Sequence, residues 1–344
     1  MNRHTPSRRE VLKALGALPV AAAMRPGEEL GAQAQAPTAA VASAPQLALV
    51  SRHVQWTDME EGASVAADAG FHAIAWTVRP GAHMLPENVE RDLPRAVEIA
   101  RKAGLATPML ITAINDANTP RAEAILDTMR KVGITRYRAP NFRYDYSKEL
   151  QPQWEALKPR IAGLAKLNEK YGTTAMFHTH SMAGAVGGGV WDLWLLLKEY
   201  DPKIVGLNYD IGHATVRGGT EWIETSHFAH RHVQALSLKD FHWVKRSNTP
   251  PDVWPWIAQF VPPGQGMVNF RDVFTYFKSA GFSGPIEVYF EYMADLGNGQ
   301  SMNMLGTDYG TWKLEMPKAQ FVSLFKRDVQ FYRNLMTTLD WKVG

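Results

Sequence analysis

Short β-rich runs alternate with longer amphipathic segments along most of this chain, and the alternation completes eight times. The β-rich runs are "LALVSRH" (47–53), "HAIAWTV" (72–78), "ATPMLIT" (106–112), "ITRYRA" (134–139), "TTAMFHT" (173–179), "IVGLNYD" (204–210), "VQALSLK" (233–239) and "PIEVYFE" (285–291). Helical patterns fill the gaps. "NVERDLPRAVEIARKAG" repeats its apolar residues at three and four and ends on glycine, and "PRAEAILDTMRKVG", "WEALKPRIAGLAKLNEKYG", "VWDLWLLLKEY" and "FRDVFTYFKSAG" behave alike. A last helix is expected near 317–338. Eight strands, each followed by a helix, predict an α/β chain folded as a single-domain (β/α)8 TIM barrel over 47–340. An open doubly wound sheet would want a glycine-rich phosphate turn after the first strand, and "SRHVQWTDMEEG" has none.

The first residues read differently. "SRREVLK" (Ser7 to Lys13) precedes an apolar run from Leu15 to Met24, and "AQA" at Ala32 to Ala34 offers a cleavage site. This resembles a twin-arginine (Tat) export signal with Val11 where the pattern has Phe. The expectation is a cleavable signal over 1–34, an Ala/Pro linker over 35–46, and a periplasmic or secreted protein. The run is too short to span a membrane. Five of the 37 basic and three of the 34 acidic residues lie in 1–34, so the remainder carries a net charge of +1. That balance gives no case for nucleic acid. With no cysteine, disulfides and Cys-ligated zinc are excluded. A small-molecule partner remains, and the oligomeric state is open.

Barrels of this kind collect function at the C-terminal ends of their strands, and side chains alternate along a strand. In "IEVYFEY" parity turns Ile286, Val288 and Phe290 outward, and Glu287, Tyr289 and Glu291 inward. Strand five puts His178 and His180 on one face. Strand six ends in Asp210, with His213 just beyond. Strand seven carries Ser237 and Lys239 on one face, then Asp240. Arg79 and His83 follow strand two, Arg136 and Arg138 lie on strand four, and His53 ends strand one. Imidazoles and carboxylates at so many strand ends predict a shared polar pocket suited to Mn2+, Zn2+ or Mg2+. Lys239, His213 and His180 are the candidate proton movers, and Arg79, His83, Arg138, Asp240 and Trp243 the candidate substrate contacts. Of the 11 tryptophans, Trp56, Trp243, Trp254, Trp256 and Trp312 fall in expected loops, where an aromatic face suits a sugar ring.

"YDIGHATVRGG", "LSLKDFHW", "PPGQGMVNF" and "GPIEVYFEY" resemble the xylose-isomerase-like barrels, the sugar phosphate isomerases/epimerases, over roughly 47–338. "VRPGAHMLPE", "THSMAG" and "DIGHA" point to an exported branch of that group. The resemblance implies one divalent metal held by Glu, Asp, His and Glu on strands five to eight. The match is partial: His178 stands at the first position, Ser237 at the third and Tyr289 near the fourth, and Asp210 alone is unaltered. The ligand set this implies is His178, Asp210 and Glu291.

The function this predicts is an exported enzyme acting beside a carbonyl of a sugar or keto-glycoside, by isomerisation, epimerisation or elimination. The alternative, supported by Ser237 and Tyr289 at ligand positions, is a metal-free barrel that binds a sugar or serves as an accessory protein. An endonuclease of the AP-site type needs a multi-zinc set that is incomplete here.

Overall fold

In the computed structural model, which describes residues 44–297, 299–305 and 312–344, eight parallel strands close into a barrel. β1 (Leu47–Val50), β2 (Ala73–Val78), β3 (Met109–Thr112), β4 (Arg136–Ala139), β5 (Thr174–His178), β6 (Val205–Asp210) and β7 (Val233–Leu238) pair in sequence order. Two hairpins intervene or follow: β8 (Asp240–Lys245) with β9 (Trp256–Val261), and β11 (Met293–Gly297) with β12 (Gln300–Asn303). The eighth barrel strand, β10 (Ile286–Val288), closes the ring, with Ile286 opposite Leu47 on one side and Leu236 on the other. All eight expected strands are present, each somewhat shorter than read from sequence. The expected signal, and the linker as far as residue 43, lie outside the described residues.

The helices are α1 (Met59–Asp68), α2 (Val89–Lys102), α3 (Ala122–Lys131), α4 (Leu150–Tyr171), α5 (Trp191–Leu197), α6 (Ile211–Gly218), α7 (Trp222–Ala229), α8 (Phe270–Ser279) and α9 (Lys318–Thr338). Their ends follow elementary rules. α2 carries Glu90 and Asp92 in its first turn and Arg101 and Lys102 in its last, which suits the helix dipole. α4 stops at Gly172, whose φ of 65° is left-handed and costs a side-chain-bearing residue more.

Parity sorts the strand side chains into two sets, as the sequence predicts. Outward residues such as Ile74, Trp76, Tyr137, Phe177, Tyr209 and Phe290 join the helices in one continuous core. Phe290 stacks on Phe325 of α9, ring centroids 3.9 Å apart. Each such aromatic buried whole stabilises by about 2–3 kcal/mol. The inward apolar residues form a separate cluster of Val50, Ala75, Met109, Ile111, Met176, Ala235 and Tyr289. Among the described residues no helix is long and apolar enough to cross a membrane.

The hairpin after β7 replaces an expected loop. Asp240, the first residue of β8, accepts backbone N–H bonds from Phe241, Gly264, Gly266 and Val268 at 2.9, 2.9, 2.9 and 3.1 Å. One buried carboxylate thereby fixes the "PPGQGMV" return of the hairpin.

Candidate active site

Asp210 ends β6 and also caps α6. Its Oδ1 accepts from the backbone N of His213 at 2.9 Å, so the "D-I-G-H" spacing sets the His213 ring in the first helical turn above the carboxylate. Gly212 between them has a packing reason. A Cβ there would lie 2.5 Å from Lys239 Cγ and 2.6 Å from the Lys239 carbonyl, so a side chain would block the path of Lys239. The second carboxylate oxygen, Asp210 Oδ2, takes no part in the helix cap. It lies 3.6 Å from His178 Nε2 and 3.9 Å from His213 Nε2. Ligand atoms of His178, Asp210 and His213 fall within 4.8 Å of one another, and all three side chains are buried.

The hydrogen bonds around the imidazoles assign their tautomers. Asn208 donates its amide N–H to Glu287 Oε2 at 2.8 Å, so its Oδ1 faces His178 Nδ1, 2.5 Å away, as an acceptor. His178 therefore carries its proton on Nδ1 and turns a bare Nε2 toward Asp210. Ser237 Oγ sits within reach of both partners, 2.7 Å from Asn208 Oδ1 and 2.8 Å from Glu287 Oε2. His213 Nδ1 is 2.9 Å from Ser181 Oγ, and its Nε2 is 3.1 Å from the ammonium of Lys239, which can only donate. Burial pushes the pKa of His178 and His213 well below the usual imidazole value, reinforced by Arg138 and Lys239, so both are neutral. Burial likewise lowers His180 to about 4. It raises Asp210 to about 6, against the pull of Lys239.

Lys239 Nζ sits inside this cluster. It is 2.8 Å from Glu291 Oε1 and 3.2 Å from Asp210 Oδ2, with the Tyr289 ring centroid 4.4 Å away and that of Phe260 at 5.4 Å. Burial opposes ionisation of Glu291, but the adjacent ammonium prevails and holds its pKa below the usual carboxylate value. Three unprotonated donor atoms, on two neutral histidines and one carboxylate, fit a divalent cation. Asp210 Oδ2 supports the same fit, being buried without a well-angled hydrogen bond despite the nearby ammonium.

The structure brings together His178, His180, Asp210, His213, Lys239 and Glu291 of the sequence candidates, with the His180 and His213 rings stacked at 3.9 Å. Glu291 stands in an ion pair with Lys239, and His213 completes the donor group. Arg138 donates to the Tyr289 hydroxyl at the rim of this cluster. Of the remaining substrate candidates, Arg79, His83 and Asp240 are engaged elsewhere. Arg79 clamps the Thr112 carbonyl with two N–H groups at 2.9 and 2.6 Å. His83 packs on Trp76 and lies 3.2 Å from the Val54 carbonyl. Asp240 is spent on the hairpin return. Trp243 is 39% exposed and pairs opposite Ala258, two residues along the hairpin from the Phe241–Phe260 pair, whose Phe260 packs against His213. His53 is buried, lowered to about 3 by burial, and held between Met304 and Phe290. Sequence reasoning missed Asn208 and Ser181. The parity of Asn208 with Asp210 on β6 was the one available signal for it.

A closed parallel barrel with a histidine–carboxylate cluster at its strand ends defines a class of small-molecule enzyme folds. The profile described as "Xylose isomerase-like TIM barrel" matches residues 63–308, and the chain belongs to that family. An inosose dehydratase of Bacillus licheniformis is 27% identical over 164 residues, covering 46% of this chain and 53% of that protein. The chain thus spans about half the length of this relative. A D-psicose 3-epimerase of Clostridium cellulolyticum H10, solved with D-tagatose, superposes with a TM-score of 0.60 at 14% identity, covering 85% and 99% of the two chains. The IOLI protein, solved with a bound zinc atom, gives 0.58 at 13% identity, covering 87% and 100%. At such identities the structural likeness speaks for the fold alone.

Proposed function

We propose that this protein is an enzyme that removes a proton beside the carbonyl of a sugar or cyclic keto-polyol and then expels water from the neighbouring carbon. The observation that carries the reading is the asymmetry of the mouth. Among the described residues one carboxylate, Glu291, stands there partly open, its side chain 16% exposed. The inward carboxylate of β10, Glu287, is fully buried and bonded to Asn208 and Ser237. Epimerisation by two bases wants a carboxylate on each face of the substrate. One base with N–H donors beside it suits elimination.

In this reading Glu291 takes the proton from the carbon next to the carbonyl. Lys239 and the Nε2–H of His180 donate to the substrate oxygens; His180 Nδ1 already accepts from the Met182 backbone at 3.0 Å, which fixes that tautomer. As the β-carbon–oxygen bond breaks, one of these donors supplies the proton with which hydroxide leaves as water. His178, Asp210 and His213 would hold a divalent metal, which when bound supplies Lewis-acid stabilisation of the enediolate. His180 and Glu291 are the members of the cluster that reach solvent, so substrate approaches from their side. The relatives named inosose dehydratase support a keto-inositol as the first substrate to try.

The test is to incubate purified protein with keto-inositols and 3-keto-glycosides and follow the products by NMR. The reading expects loss of water to an unsaturated or dicarbonyl product; a simple epimer would replace it with a two-base mechanism. A sugar-binding barrel without turnover is the second reading, favoured by the burial of His178, Asp210, His213 and Lys239. Saturable binding of every substrate with no product would select it. We further read the protein as exported, on the Arg8–Arg9 segment. Replacing both arginines by lysine should leave it in the cytoplasmic fraction.

A further inference from the structure

We propose that Lys239 is a built-in competitor for the metal, and that a divalent cation enters the cluster only by moving the Lys239 ammonium off Asp210 and His213. The inference rests on the metal half of the function proposed above and concerns how that site is controlled.

The geometry argues it directly. Two of the three atoms a cation would use are already engaged by Nζ: Asp210 Oδ2 at 3.2 Å and His213 Nε2 at 3.1 Å. A metal bound to the same lone pairs would have to displace those contacts, and it would place two like charges side by side in a buried site. The ammonium is also well kept. Glu291 pairs with it at 2.8 Å, and the Tyr289 ring faces it at 4.4 Å, a contact worth more when desolvated. Gly212 leaves the space through which the Lys239 stem reaches this position. Nothing about the side chain suggests an accidental visitor.

The same cage supplies the exit. Glu291 lies on the solvent side of Nζ, so an ammonium pushed off Asp210 keeps a carboxylate partner at the mouth. The Lys239 side chain thus has two stations. At the inner one it is the cation of a metal-free site. At the outer one it leaves His178, Asp210 and His213 to the metal and stands where a substrate oxygen would arrive.

The experiment titrates Zn2+ into full-length wild-type, Lys239→Met and Lys239→Gln proteins against a competing chelator at one fixed pH. Melting temperatures are recorded with and without the metal. Removing the ammonium should tighten zinc binding by at least about tenfold, a difference of about 1.4 kcal/mol. Both variants should lose melting temperature when metal-free, because Asp210 and Glu291 lose their counter-charge, and should recover more of it with Zn2+ than wild type gains. Lys239→Gln keeps an N–H donor for Asp210, so it covers the case in which Lys239→Met folds poorly. If wild type binds zinc and neither variant binds it more tightly, the competition is wrong and the metal site stands. If no protein of the three binds zinc, both the competition and the metal half of the proposed function fall.

Discussion

The two sides of the barrel interior are built to opposite specifications. Where β1 to β3 pass, the inward side chains are small or plainly apolar: Val50, Ala75, Met109 and Ile111, in one buried cluster. Where β5 to β7 and β10 pass, Met176, Ala235 and Tyr289 extend that cluster, and beside them His178, Asn208, Ser237 and Glu287 form a continuous hydrogen-bonded network with Asp210 against its His178 end. Both sides are equally dry; Ile111 is 1% exposed and Asp210 0%. The apolar side stabilises simply by leaving water. The polar side has to offset its own desolvation bond by bond, and it does so incompletely, since Asp210 Oδ2 and Glu287 Oε1 stay without hydrogen bonds. A barrel filled on both sides with alanine, valine and methionine would be easier to fold. The polar half is therefore the part retained for chemistry.

The largest contrast should come from acid. In metal-free protein His53, His178 and His213 are buried with folded pKa values below 6.5. The unfolded chain binds three protons there that the folded chain refuses. Stability is thus full above about pH 6.5 and falls as pH drops toward the folded values. Asp210 acts the other way: its folded pKa, about 6, exceeds its unfolded value, so it regains stability between about pH 6 and 4. With His180, lowered to about 4, on the same side, the imidazoles outweigh the one carboxylate and leave a net loss of at least about 5 kcal/mol between pH 7 and 5. Melting with a chelator present measures it, and a flat profile would mean the imidazoles are charged in the fold.

Two substitutions then set one side against the other. Asp210→Asn should cut turnover by about a thousandfold, about 4 kcal/mol of barrier, while shifting the melting temperature little. Ile111→Ala should cost about 3 kcal/mol of stability and leave turnover of the folded fraction intact. Chemical denaturation and steady-state assay of the pair would break the comparison if either variant behaved like the other. The smallest effect belongs to the hairpin. Trp243→Ala should change stability by no more than about 0.5 kcal/mol. A rise in KM with unchanged kcat would mark Trp243 as a sugar platform.

The barrel was legible because burial parity and helix periodicity are local signals, repeated eight times. Asp210 and His213 were legible for the same reason, standing three residues apart across one helix start. The inward set Glu287, Tyr289 and Glu291 followed from alternation along a single strand. What stayed hidden depends on distant partners. Asn208 is a neutral amide whose meaning comes from His178, 30 residues earlier, and Glu287, 79 residues later. Asp240 reads as one more carboxylate at a strand end until backbone N–H groups 24 to 28 residues on close around it. Spacing alone did not place the Lys239 ammonium between Asp210 and His213, because that depends on how β7 crosses the start of α6 at Gly212.

If the polar half removes a proton beside a carbonyl, hydrogen–deuterium exchange reports it whatever the final product. A keto-inositol or 3-keto-glycoside is held with the protein in D2O, and the signal of the hydrogen next to the carbonyl is followed by proton NMR. Wild-type protein should speed the loss of that signal, with or ahead of any loss of water, and Asp210→Asn should slow it at least about a hundredfold. A wild-type protein that binds these ketones and leaves that hydrogen in place, or an Asp210→Asn variant that exchanges it at the wild-type rate, would contradict the account.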